Sequence, residues 1–224
     1  MAQESSSALR WLLPYGVNVA YSTVTDGDQR DRDHRYAWLA SHGIERCVVP
    51  RQVHGIRIVH ADADIDALAQ ADGVVTNDLS KALGVYGADC PGVVLVAPDA
   101  CGVAHGGWRG VAGGIVGQLV TAMRSVTRHP SAQGGACIGP GISAAHYEVD
   151  QPVLSARVWP SSALMPGRPG HAQLDVAGAI AADLREHDIT NVQRSGICTA
   201  EDSRLWSYRR RGVGSVQMLA AWRG

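Results

Sequence analysis

Short runs of small and β-branched apolar residues, each closed by Gly, Pro or Asp, dominate the middle of the chain. Gly73 to Thr76, Ala82 to Tyr86, Val93 to Ala97 and Gly102 to His105 have this form. It is the pattern of strands buried on both faces, not of strands with one wet side. Asp99-Ala100 joins the last two runs as a hairpin, which predicts that the residues just before Val93 lie beside His105. Weaker strand patterns cover Val17 to Ser22, Cys47 to Pro50, Ile56 to His60, Val192 to Ser195 and Ser215 to Leu219. Elsewhere the apolar period lengthens to that of a helix. Val111, Ile115, Leu119, Met123 and Val126 would share one face of a helix over Val111 to Val126. Gly113-Gly114 weakens its start and points to close approach of another backbone. Further helices are expected over Asp33 to His42 and over Val176 to His187, the latter with Asp175 as N-cap. Ala156 to Gly170, rich in Pro, Ser and Gly, reads as a surface loop. No repeat or low-complexity tract divides the 224 residues, so residues 1–224 are read as a single domain.

Composition narrows the classes of function. Apolar residues make up 46% and charged residues 18%, which fits a folded globular chain. The formal net charge is −1 and the one basic cluster is Arg209-Arg210-Arg211, so binding to nucleic acid through phosphate neutralisation is not expected. No apolar run reaches the roughly 20 residues that span a bilayer, and no membrane partner is expected. The N-terminal MAQESSSALRWLLPYG lacks the basic and apolar segments of a secretory signal. The five cysteines show no CxxC pair and read as free thiols of a cytoplasmic protein.

Candidate chemistry sits at strand ends. Cys90, in Ala88-Asp89-Cys90-Pro91, precedes one buried run, and His105 ends its hairpin partner. His54, in Gln52-Val53-His54-Gly55, lies in a loop between two expected strands. Two imidazoles and one thiolate suit a divalent metal with one position left open. Their spacing matches no compact finger, so only a folded sheet could gather them. Cys90 with His105 as base would equally suit nucleophilic catalysis. Arg109, Arg209 and Arg210 are candidate phosphate ligands because the guanidinium fork matches that anion. Gln52 offers a donor and an acceptor to a purine edge. Asp89 could orient an imidazole or anchor the turn before Cys90, and Trp108 could stack on a base or plug a turn. The remaining histidines, His146 among them, read as surface or internally bonded residues, not ligands.

Six strings occur in order between Arg51 and Gly212: RQVHG, ADGVVT, GADCPGVVLV, AHGGWRG, IGPGI…HYEV and CT…SYRRRG. Together they resemble the YfiH-like family, also labelled multicopper polyphenol oxidase or laccase-domain proteins and purine nucleoside phosphorylases. The resemblance implies an α+β fold of mixed β-sheets sandwiched between helices in α/β/β/α layers. It also implies a zinc site at His54, Cys90 and His105, and phosphorolysis of adenosine, inosine or methylthioadenosine, with adenosine deamination as a companion activity. Copper is the less expected metal, because two histidines and no evident axial Met fall short of a copper oxidase centre. The partners implied are a small nucleoside and phosphate.

The chain departs from the family pattern in several places. It runs from Tyr21-Ser22-Thr23-Val24-Thr25 almost directly to Asp26-Gly27-Asp28, without the arginine and glycine-rich loop usual there, so the N-terminal region reads as shortened. Gly141 stands where Cys is usual, and His105-Gly106-Gly107-Trp108 replaces His-Ala-Gly-Trp. The metal triad is intact while parts of the substrate wall differ. Two alternatives therefore stand beside the phosphorylase: a cysteine amidase or hydrolase acting on a peptidoglycan precursor, and a degenerate metal-binding member without turnover.

Overall fold

The apolar runs pair into two large sheets and one small one. The computed structural model describes residues 9–63, 68, 70–129, 134–212 and 214–224. The first eight residues, part of the stretch read for a signal sequence, lie outside these. In chain order the strands are β1 (Leu9–Leu13), β2 (Val17–Tyr21), β3 (Cys47–Val48), β4 (Ile58–His60), β5 (Gly73–Thr76), β6 (Ala82–Gly87) and β7 (Gly92–Ala97). They continue as β8 (Ala100–His105), β9 (Gly135–Ile138), β10 (Glu148–Val149), β11 (Leu164–Pro166), β12 (Ala172–Leu174), β13 (Val192–Arg194) and β14 (Gln217–Arg223). The described helices are α1 (Arg32–Ala40), α2 (Trp108–Gly113), α3 (Ile115–Val126), α4 (Gln151–Leu154), α5 (Val176–Glu186) and α6 (Tyr208–Arg211).

One sheet has the order β1-β2-β14-β6-β3 and the other β13-β9-β7-β8-β5-β4, with β10-β12-β11 as a small third sheet. Both large sheets mix parallel and antiparallel pairs. Their facing sides enclose Val19, Leu83, Val85, Val94, Val96, Val103 and Leu219. The far side of the six-stranded sheet packs Val93 and Leu95 against Ile115, Leu119, Ile180 and Leu184 of α3 and α5. The far side of the five-stranded sheet packs Ala20, Met218 and Ala220 against Trp38 and Leu39 of α1. Consecutive residues of β7 thus enter different cores, which is why that run is apolar without alternation. The layers are α/β/β/α, the α+β architecture that the family resemblance implies.

Several boundaries differ from expectation for identifiable reasons. The helix foreseen over 111–126 is two helices, because Gly114 takes φ +92°, a left-handed conformation that glycine adopts at little cost. A Cβ on Gly113 would lie 2.7 Å from a side-chain atom of Ile56, so a side chain approaches there. The close backbone approach occurs instead at Gly110, where a Cβ would stand 2.8 Å from the Gly55 carbonyl. α2 is thereby pressed against the His54 loop. β1 escaped notice because Leu12, on its outward face, is 64% exposed and masks the period-two pattern. The stretch 156–170, read as loop, contains β11. Asp175 caps α5 as foreseen, accepting from the Gly178 N–H at 2.8 Å. No helix among the described residues is long and apolar enough to cross a membrane.

Candidate functional site

Three strand pairings gather the site. In the β7–β8 hairpin Gly92 faces His105, so Cys90, two residues before Gly92, reaches the neighbourhood of that imidazole. Antiparallel β5–β8 pairing sets Gly73 opposite Ala104, and the His105 N–H donates to the Asp72 carbonyl at 2.7 Å. Parallel β4–β5 pairing sets Ile58 opposite Gly73, which carries the preceding 53–55 loop over the start of β5. The donor atoms of His54, Cys90 and His105 lie within 4.8 Å of one another. The two imidazole rings stand edge to face at 84° with centroids 4.8 Å apart.

Asp72, to which sequence reasoning gave no role, organises this convergence. It is fully buried. Its carboxylate accepts the backbone N–H groups of Val53, His54 and Gly55 at 3.0, 2.9 and 2.7 Å and Nδ1–H of His105 at 3.0 Å. Burial alone would raise its pKa, but the His105 imidazole and these N–H groups outweigh that and hold it below the usual carboxylate range. One side chain thus bends the His54 loop and orients His105, leaving Nε2 of His105 to the donor set. The His54 loop and the turn before Cys90 each carry strain, with His54 at φ +60° and Asp89 at φ +90°, sparsely populated conformations that persist only where surroundings enforce them.

The thiol is poised for deprotonation. Burial would raise Cys90, yet the charge and hydrogen bond of His105, joined by His54, bring it down to about 6. Burial would likewise lower His105, while Cys90 and Asp72 raise it to about 9. Gly107 completes the arrangement: a Cβ there would sit 3.1 Å from His105, 3.2 Å from His54 and 3.4 Å from the Cys90 sulfur. The three donors converge beside a space that any side chain at 107 would invade. A sulfur and two imidazole nitrogens around such a space fit a transition metal of the zinc class.

The triad opens onto a cavity of about 570 Å³, whose lining includes Arg30, Arg109 and Arg209, with Tyr86, Trp108, Tyr147 and Tyr208 as aromatic wall. The Arg109 guanidinium lies 4.2 Å from the Trp108 ring centroid, and that of Arg209 lies 5.3 Å from the Tyr147 centroid. Arg30, two residues past the Tyr21–Asp28 segment read as lacking an arginine, supplies a further cation and pairs with Asp28 at 3.2 Å. Gln52 and Asp89 also line this cavity, but their polar groups have protein partners. The Gln52 amide donates to the Tyr86 carbonyl at 2.9 Å and accepts the Tyr86 N–H at 2.7 Å. Asp89 accepts from the Thr199 hydroxyl at 2.6 Å and the Arg209 N–H at 2.7 Å, so it anchors the turn and touches neither imidazole.

Arg210 is a correction to the expected phosphate ligands. Its guanidinium donates to the carbonyls of Thr199, Ala200 and Asp202, each at 3.1 Å, and to that of Leu205. It ties down the 199–205 turn and is not among the lining residues.

A strained loop and a β-hairpin bring two imidazoles and a thiol to one cavity, a donor set that could hold a metal ion. The chain belongs to the multi-copper polyphenol oxidoreductase laccase family, whose model matches residues 13–223. It is 33% identical over 188 residues to a purine nucleoside phosphorylase of Xylella fastidiosa, covering 78% of this chain and 71% of that one. It is 34% identical over 215 residues to purine nucleoside phosphorylase ORF3 of Streptomyces griseus, covering 88% and 83%. Its fold matches the crystal structure of YlmD from Geobacillus stearothermophilus with a TM-score of 0.84 and 27% identity, over 99% of this chain and 98% of the other.

Proposed function

We propose that this protein is a zinc-dependent purine nucleoside phosphorylase acting on adenosine, inosine or methylthioadenosine. The observation that carries the reading is that one cavity joins the His54–Cys90–His105 donors to arginines and aromatic faces. Its volume, about 570 Å³, falls within the range of about 300–1,000 Å³ typical of small-molecule sites. The similarity to relatives named purine nucleoside phosphorylase supports the same reading.

In the proposed reaction the bond from the base nitrogen to C1′ breaks, its electron pair leaves with the base, and a phosphate oxygen bonds to C1′. The free base takes up a proton, and ribose 1-phosphate is the second product. Arg109 and Arg209 hold phosphate and offset its charge at the reacting carbon. Trp108 and Tyr147, each with a guanidinium over its ring, form the aromatic wall beside the purine. Asp72 keeps His105 in the tautomer that leaves Nε2 free, and Gly107 keeps the space beside the donors clear. A divalent ion bound by His54, Cys90 and His105 would supply Lewis acidity at the open position. Zinc suits three N and S ligands with a fourth place vacant, whereas blue or trinuclear copper centres call for more imidazoles or an axial Met. The proposal includes hydrolytic deamination of adenosine in the same cavity, in which water adds at C6 and ammonia departs.

Product analysis tests this. Adenosine with phosphate should yield ribose 1-phosphate equal to the sum of adenine and hypoxanthine, and adenosine without phosphate should yield inosine and ammonia with no free base. No product from adenosine, inosine or methylthioadenosine with zinc present would overturn the proposal.

A second reading is favoured by one observation: Cys90, lowered to about 6, stands beside His105, which is in turn held by Asp72. That succession of nucleophile, base and orienting carboxylate is the arrangement of a cysteine hydrolase, here one cleaving an amide of a peptidoglycan precursor. Amide cleavage by chelator-treated protein would establish it, and zinc would then inhibit.

A further inference from the structure

A second set of metal-type donors converges outside the cavity. His146, Cys198 and Glu201 bring an imidazole nitrogen, a sulfur and a carboxylate oxygen within 4.8 Å of one another, and none of the three lines the 570 Å³ cavity. We propose that these residues form a second divalent-cation site, of the zinc class, which ties the turn at 198–202 to the 3-10 turn Ala144–His146.

The donors come from two segments that the backbone already holds together. Glu201 and Asp202 donate their N–H groups to the Cys198 carbonyl at 3.2 and 2.9 Å, a turn that puts the Cys198 and Glu201 side chains on one side. Gly141 pairs with Cys198 as an isolated bridge, with Gly141 N–H to the Ile197 carbonyl at 3.2 Å and Thr199 N–H to the Gly141 carbonyl at 3.1 Å. His146 therefore meets the turn without a loop having to close. Nε2 of His146 and Oε1 of Glu201 are hydrogen-bonded at 2.8 Å, a contact that a cation between them would replace. The pair is open to solvent, with the side chains 43% and 59% exposed, and a bare pair of that kind contributes little to stability. The buried Cys198 sulfur completes the set from beneath.

Two further features mark a site that is more than a surface ion pair. The Ser143 N–H donates to the Cys198 sulfur at 3.3 Å, fixing its position beside the 144–146 turn, and the Ser143 hydroxyl oxygen is buried without a partner among the described residues. A separate cavity of about 120 Å³ adjoins the Cys198 side, lined by Ser143, Ala144 and Cys198 but by neither His146 nor Glu201. Sulfur, imidazole and carboxylate together select zinc-class ions over magnesium or calcium. The site would act by position. Thr199, next to Cys198, bonds to Asp89 at 2.6 Å, and Tyr147, next to His146, lies under Arg209.

Metal counting on the full-length protein tests the proposal. Protein equilibrated with zinc and freed of unbound metal should hold two ions per chain. The Cys90→Ala variant should keep one, and either His146→Ala or Glu201→Gln in that background should remove it. Cobalt-loaded Cys90→Ala should still show a thiolate-to-cobalt charge-transfer absorption, and His146→Ala should abolish it. His146 and Glu201 are exposed, so those substitutions leave the core intact. A chain whose last ion leaves with Cys90, or whose second ion survives both His146→Ala and Glu201→Gln, would overturn the second site. Failure of the triad alone would read differently: one ion, indifferent to Cys90→Ala and lost with His146→Ala.

Discussion

Asp72 accepts Nδ1–H of His105 at 3.0 Å while the other face of the triad, the His54 loop, hangs from the same carboxylate by three N–H bonds. Asp72→Asn keeps the shape but removes the charge that fixes the tautomer. Orienting partners of metal-bound histidines typically contribute about ten- to hundredfold in affinity. Zinc affinity of Asp72→Asn, measured by competition with a chelator, should fall by roughly that factor. Unchanged affinity would mean that Asp72 only supports the loop.

Gly107→Ala separates space from backbone strain. Gly107 has φ −66° and ψ 148°, which alanine adopts freely, yet the new methyl would stand within 3.1–3.4 Å of all three donor residues. The variant should fold with a melting temperature near that of the parent and bind zinc at the triad far more weakly. Equal zinc affinity would place the ion elsewhere.

Much of this was legible in the chain and some was not. The four buried runs announce themselves because their strands feed two cores at once, and the hairpin between Val93 and His105 follows from them. That pairing alone explains why Cys90 and His105 meet. Asp72 gave no such signal, since ligand spacing rules describe metal donors and not the carboxylate behind them. One cue existed: Asp72 directly precedes the short run Gly73–Thr76, whose pattern is that of a buried strand, and a carboxylate drawn into the core with it must find donors. Arg210 misled because its neighbour Arg209 does line the cavity. The difference lies in α6, a single turn that sends adjacent side chains in different directions, one toward Tyr147 and one toward the 199–205 carbonyls.

That divergence is testable. Arg109→Ala and Arg209→Ala should raise the KM for phosphate, by roughly tenfold for loss of one charge-assisted contact, with little change in melting temperature. Arg210→Ala should do the reverse, lowering the melting temperature by about 2–4 °C for a loss near 1 kcal/mol and leaving phosphate KM in place. Phosphate saturation curves beside thermal melts decide it.

The Cys90–His105 pair predicts a pH window for metal-free protein. Cys90 is lowered from 9.0 to about 6, so its contribution to stability is complete above pH 9 and fades as pH falls through 6. His105 is raised from 6.5 to about 9, so its contribution is complete below pH 6.5 and fades as pH rises through 9. Each shift is caused by the partner's charge, so the two contributions are realised together only while thiolate and imidazolium coexist, giving a plateau between about pH 6.5 and 9 with losses on both sides. Thermal melts of chelator-treated protein should show that plateau, reduced in Cys90→Ala, and alkylation of Cys90 should accelerate with a midpoint near 6. A midpoint near 9 would show that no such pair forms.

The central claim is that His54, Cys90 and His105 form one metal centre serving a phosphorolytic cavity. Its most direct measurement is phosphate-dependent release of adenine from adenosine by stripped protein, before and after zinc is restored. Release should be negligible without metal, recover on adding zinc, and fail to recover in His54→Ala, Cys90→Ala or His105→Ala. Full release by metal-free protein, or recovery in any of those three variants, would contradict it.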